Sequence, residues 1–111
     1  MTKRTNFYCN PKALNSLERS QHKQLTDKLL ASKTAVREAR SGYEFQFSPS
    51  AVSIQELAQW VSNESKCCPF LDFHIDLERE GDLLCLRLTG AAGIKEFMRA
   101  EFQIASSSNS H

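Results

Sequence analysis

Leu71-Asp72-Phe73-His74-Ile75-Asp76-Leu77-Glu78 alternates apolar and polar side chains without a break, and Leu84-Cys85-Leu86-Arg87-Leu88 repeats the pattern shortly afterwards. A period of two places alternate side chains on opposite faces of a strand. A tight turn at Glu80-Gly81 folds the two runs into a hairpin that pairs Leu77 with Leu84, Ile75 with Leu86 and Phe73 with Leu88. All the apolar residues then share one face, which is what fixes a register, since a slip of one residue would turn the whole set to solvent. The same register sets Asp76 opposite Cys85 and His74 opposite Arg87 on the other face.

Upstream, Pro69 biases Cys68 away from helical geometry and ends a helix. That helix opens with Ser53 and Glu56 in S-x-x-E spacing, a capping box, and continues through Ile54, Leu57, Ala58 and Val61 on one face. Before it, Tyr43-Glu44-Phe45-Gln46-Phe47 alternates as a strand with three aromatics inward, closed by Ser48-Pro49-Ser50. Earlier still, Asn10-Pro11 reads as a helix start. The thin stripe Leu14, Leu17, Leu25, Leu29 and Val36, with Leu30 and Ala39 beside it, predicts one helix running to about Arg40, stopped by Ser41-Gly42. Such a stripe packs on a body or on a second copy, so a homodimer through this helix is expected.

Downstream, Gly90 to Gly93 is a loop, and Ile94, Phe97, Met98 and Phe102 recur at helical spacing. The predicted fold is α+β: a long N-terminal helix followed by β-α-β-β-α, a three-stranded sheet with helices packed on its apolar face. Residues 1–105 form a single domain in this reading, and 106–111 a disordered polar tail.

With 111 residues, 41% hydrophobic and 24% charged, the chain has room for one modest core. A formal net charge of +1 gives no field that would gather nucleic acid or an anionic membrane. No apolar run approaches a membrane span and no secretory signal is present, so a cytoplasmic location is expected. Cysteines there serve more often as free thiols or ligands than as structural disulfides.

The concentrated chemistry is Cys67-Cys68, where a helix stops and a strand begins. A helix end carries unpaired carbonyls and partial negative charge, which does not lower a thiol pKa. The pair is therefore not primed as a nucleophile, but a soft ion can drive its deprotonation. Adjacent cysteines cannot close a site alone. The further candidates are Cys9, Glu64 one turn before Cys68, His74 and Cys85. Cys9 directly precedes the first helix and can fold back over a helix end. Other readings are plain: Cys85 is a small buried hydrophobe, His74 is solvated, His22 lies on a charged helix surface and Trp60 belongs to core or interface.

Cys9, Gly42-Tyr43-Glu44-Phe45-Gln46-Phe47, Glu64-Ser65-Lys66-Cys67-Cys68-Pro69-Phe70-Leu71-Asp72-Phe73, Leu86-Arg87-Leu88-Thr89-Gly90 and Gly93-Ile94-Lys95-Glu96-Phe97 follow one another in this order. In order and spacing the chain resembles a family of small bacterial proteins with an E-x-x-C-C-P-F-x-x-F signature. A similar module is appended to the carboxyl end of some MerR-type heavy-metal regulators. The resemblance covers roughly residues 7–103 and implies a heavy-metal-associated or thiol-sensing module, carrying over Cys9, Cys67, Cys68 and Glu64. The regulators' DNA-binding domain has no counterpart here.

The leading expectation is a metal- or metalloid-binding domain that holds zinc or a heavy-metal ion through Cys67 and Cys68 with Cys9, Glu64 serving as ligand or as acceptor behind the ligands. Its role would be sensing, buffering or delivery. A thiol-redox protein with a disulfide from Cys9 to Cys67 or Cys68 comes second, requiring α-carbons under about 7 Å apart. An interaction domain with structural cysteines comes third. A cysteine enzyme comes last, because no base stands out beside the thiols.

Overall fold

The computed structural model describes Phe7 and residues 9–104. Tyr8 and the tail 106–111 lie outside the described residues. Among the described residues, the secondary structure is α1 (Ser16–Ser32), β1 (Ala35–Ala39), β2 (Gly42–Phe47), α2 (Ile54–Cys67), β3 (Asp72–Glu78), β4 (Leu83–Thr89) and α3 (Ile94–Glu101), with a 3-10 turn Pro11–Ala13 ahead of α1. The strands form one antiparallel sheet of order β1-β2-β4-β3.

The expected long N-terminal helix and three-stranded sheet are overturned. Asn10-Pro11 opens only the 3-10 turn; α1 starts after Asn15, whose side chain accepts the Glu18 N–H at 2.8 Å while Glu18 accepts the Asn15 N–H at 3.0 Å. At the other end Lys33 leaves the helix with φ −63° and ψ 140°. The Thr34 N–H then donates to the Gln46 carbonyl at 2.7 Å, and Val36 lies opposite Phe45 in a fourth strand. Ala35, Arg37, Glu38 and Ala39 are adequate helix formers, so local preference did not oppose continuation. Pairing decided otherwise: an unpaired edge of the aromatic strand β2 is a row of open donors and acceptors, and β1 satisfies it.

The other strands follow the alternation. Tyr43, Phe45 and Phe47 are buried on one face of β2 and stand opposite Leu88, Leu86 and Leu84. β4 pairs with β3 in the expected register, Phe73 with Leu88, Ile75 with Leu86, Leu77 with Leu84. The helices cover this face, contributing Leu29, Leu57, Trp60, Ile94, Phe97 and Met98 to one core. β2 and β4 approach so closely at Gly42 that any side chain there would overlap the Leu88 carbonyl.

Helix α2 begins with the predicted capping box: Ser53 Oγ accepts the Glu56 N–H at 3.0 Å, and Glu56 accepts the Ser53 N–H at 3.0 Å. Its buried stripe is rotated from the expected one. Ile54 and Ala58 face solvent, and the inward residues are Leu57, Trp60, Asn63, Glu64 and Cys67. A carboxyl and a thiol thus occupy positions that apolar patterning alone would leave on the flank.

Two substitutions test this packing by chemical denaturation. Leu88→Ala, at the centre of the sheet, should cost about 2–5 kcal/mol. Gly42→Ala should cost at least ~1 kcal/mol, because β2 must separate from β4 to admit the methyl group.

Candidate functional site

The end of α2 is where the thiols meet. Its last carbonyls have no partners within the helix. The backbone of the N-terminal segment supplies one: the Asn10 N–H donates to the Cys67 carbonyl at 2.9 Å. Phe7 packs on Phe70 and Phe97, with ring centres 5.1 and 6.5 Å apart, and pins the same segment from the far side. Cys9 therefore lies over the helix end, where Cys68 is the C-cap residue and its N–H donates to the Glu64 carbonyl at 2.7 Å. Cys9 and Cys68 are joined by a disulfide, with α-carbons 4.6 Å apart and a sequence separation of 59. By the loop-entropy account, a link of that span disfavours the unfolded chain by roughly 4 kcal/mol.

Glu64 is buried beside them. Its Oε2 lies 3.3 Å from the Cys68 sulfur. A reduced Cys68 would donate its S–H to that oxygen, whereas in the disulfide the sulfur has no proton and the approach is a contact only. The other carboxyl oxygen, Oε1, is 2.6 Å from His22 Nε2 on α1. Sγ of Cys9, a carboxyl oxygen of Glu64 and Sγ of Cys68 all lie within 4.8 Å of one another.

Of the four ligands expected from sequence, the structure thus brings together Cys9, Glu64 and Cys68. Cys67 is a free, buried thiol outside that group. It borders an open groove of about 490 Å³ beside α1, lined also by Leu14, Arg19, His22 and Lys23. Burial, reinforced by the Glu64 and Glu101 carboxylates, pushes the Cys67 thiol above its ordinary pKa, which makes it a poor nucleophile. Glu101, at the end of α3, is itself raised by burial of its carboxyl and by the nearby Glu64 charge. Cys85 is fully buried in β4 opposite Gln46 and Asp76, away from the site. Burial, together with Glu44 and other carboxylates, pushes it up to about 11. His74 lies across from Arg87 and near Thr89 Oγ1, and takes no part.

His22 is the residue that sequence reasoning missed. Charged neighbours suggested a surface position, yet its side chain is only 12% exposed. The ring stacks on Trp60, 5.7 Å between centres and 28° between planes. Trp60 Nε1 donates to Thr26 Oγ1 at 2.8 Å, and Thr26 donates to the His22 carbonyl at 2.8 Å. The signal was there in the spacing: His22, Leu25, Thr26 and Leu29 recur at i, i+3, i+4 and i+7, one inward face.

Comparison with family models, curated proteins and solved structures gives no match to this chain.

The thiol environments make a direct prediction. Iodoacetamide at pH 8 should label neither Cys67 nor Cys85 appreciably in the native, unreduced protein, two sites after unfolding without reductant, and all four after unfolding with it, as read by mass spectrometry. The raised Cys85 pKa also acts on stability. Its contribution is present below the ordinary thiol pKa and is lost as the pH climbs towards about 11, since the unfolded chain releases that proton first. Cys85→Ala should flatten this alkaline fall in a pH series of melts.

Proposed function

We propose that the protein binds one soft metal or metalloid ion through the reduced thiols of Cys9 and Cys68 with the carboxylate of Glu64, for sensing, buffering or delivery. The observation that carries this reading is the grouping of those donor atoms within 4.8 Å of one another. Donors around a zinc ion, at about 2.3 Å for sulfur and about 2.1 Å for oxygen, lie within roughly 4 Å of each other, so the two sulfurs, bonded to each other here, must separate to that spacing after reduction. Thiolates select zinc and the heavier thiophilic ions over magnesium or calcium. The proposed likeness to heavy-metal-associated modules points the same way.

The disulfide belongs to the same account as its oxidised form. Reduction by a phosphine and water breaks the S–S bond, yielding two thiols and the phosphine oxide. A divalent ion then displaces both thiol protons as it binds. A second reading, a thiol-redox protein, draws on the bonded pair itself and on α-carbons 4.6 Å apart. In that reading the exchange of disulfide for dithiol is the function, and any ion is incidental.

Titration of phosphine-reduced, oxygen-free protein with zinc(II) and mercury(II), followed by charge-transfer absorbance and bound-metal stoichiometry, separates the two. Saturation at one ion per chain is expected. It should survive in Cys67→Ser and fall at least ~100-fold in Cys9→Ser and Cys68→Ser. No saturable binding in the native sequence would end the metal reading and leave redox or structural thiols.

A further inference from the structure

Behind the donor group stands a residue from a different helix. Glu64 presents its two oxygens in different directions: Oε2 to the Cys68 sulfur at 3.3 Å, Oε1 to His22 Nε2 at 2.6 Å. A glutamate side chain has three rotatable bonds, and at a helix end nothing in its own backbone holds its carboxylate towards the sulfur of Cys68, four residues on. His22 does so, and its ring is itself held by its stack on Trp60, whose Nε1 donates to Thr26 one turn further along α1.

We propose that His22 is a positioning residue of the ion site: it fixes the Glu64 carboxylate as an oxygen donor beside Cys9 and Cys68, and thereby sets which ions the site prefers. This rests on the metal reading given above and deepens it. His22 is not itself a ligand in this account. Its Nε2 is committed to Oε1. A ligating histidine also donates its other ring N–H to an acceptor, whereas His22 Nδ1 is buried with no hydrogen-bond partner. A ring with its proton on Nε2 donates to Oε1 and leaves Nδ1 a bare lone pair, the less costly group to leave unpaired.

The consequence is an ion-dependent role. Zinc needs further donors beyond two thiolates to fill its coordination, and here the Glu64 carboxylate is the one beside them. Mercury(II) is satisfied by the two thiolates. Loss of the held carboxylate therefore weakens zinc and spares mercury. A merely structural histidine, whose removal loosens α1 against α2, would weaken both ions together, because both need Cys9 and Cys68 in place.

The test uses the full, phosphine-reduced chain with zinc(II) and mercury(II), each affinity measured by competition with a chelator of known strength. His22→Ala should lower zinc affinity about 10–100-fold, the range for loss of a residue that orients a ligand, and change mercury affinity by no more than about threefold. His22→Gln keeps an N–H donor and should recover part of the zinc affinity. Glu64→Gln should match or exceed the His22→Ala loss, and the double variant should bind zinc no worse than Glu64→Gln alone, since His22 acts only through Glu64. Unchanged zinc affinity in His22→Ala, equal losses for both ions, or additive losses in the double variant would overturn the positioning role. Absence of saturable binding of either ion by the unsubstituted chain would instead overturn the site itself.

Discussion

Glu64 is a carboxyl group withdrawn from water at the wrong end of a helix. Burial penalises its charge, and the partial negative charge of the α2 C-terminus adds to the penalty. The contact with His22 at 2.6 Å offsets both. Such a pair is weak evidence for stability, since apolar side chains of similar volume commonly serve as well in a core. Its presence is more economically explained by what the carboxyl faces: the sulfur of Cys68. The surrounding elements hold that group in place.

Three segments converge to do so. The strands bury their aromatic and leucine faces and so set the level at which α2 lies. α1 docks on α2 through Trp60 and Thr26, and on the surface through Lys28 and Glu56, 2.6 Å apart, a pair that also holds the Glu56 carboxylate below its usual pKa. The segment before α1 turns back across the helix end, where the Asn10 N–H takes up the Cys67 carbonyl and Phe7 packs against Phe70. Backbone satisfaction and aromatic packing thus bring Cys9 to Cys68, and the disulfide locks an approach that other contacts already favour. Cys67, one residue earlier, points to a different side because successive residues on a helix are about 100° apart.

Much of this was legible in the chain. The β3–β4 register could be read from Phe73, Ile75, Leu77 and Leu84, Leu86, Leu88, because only one alignment puts every apolar residue on the same face. The Ser53–Glu56 box and Pro69 marked both ends of α2, since caps and proline act within a few residues. Strand β1 was not legible: its residues suit a helix, and only pairing with β2 overrides that preference. The stripe of α2 was misplaced by one flank because Ile54 and Ala58 are apolar yet exposed, while Glu64 is polar yet buried.

For the site, sequence alone offered Cys67 and Cys68 at a helix end, Glu64 one turn before Cys68, and Cys9 in a position that can fold back. These follow from local rules of helix termination and spacing, which need no knowledge of what lies across the molecule. Tertiary structure decided which thiols meet, leaving Cys67 aside, and supplied His22 from α1. The first outcome depends on the Asn10–Cys67 backbone bond and on Phe7 packing, the second on how α1 rotates about its axis against α2. That rotation is set by the stacking of His22 on Trp60 and by burial of Leu29, which are contacts between residues far apart in the chain.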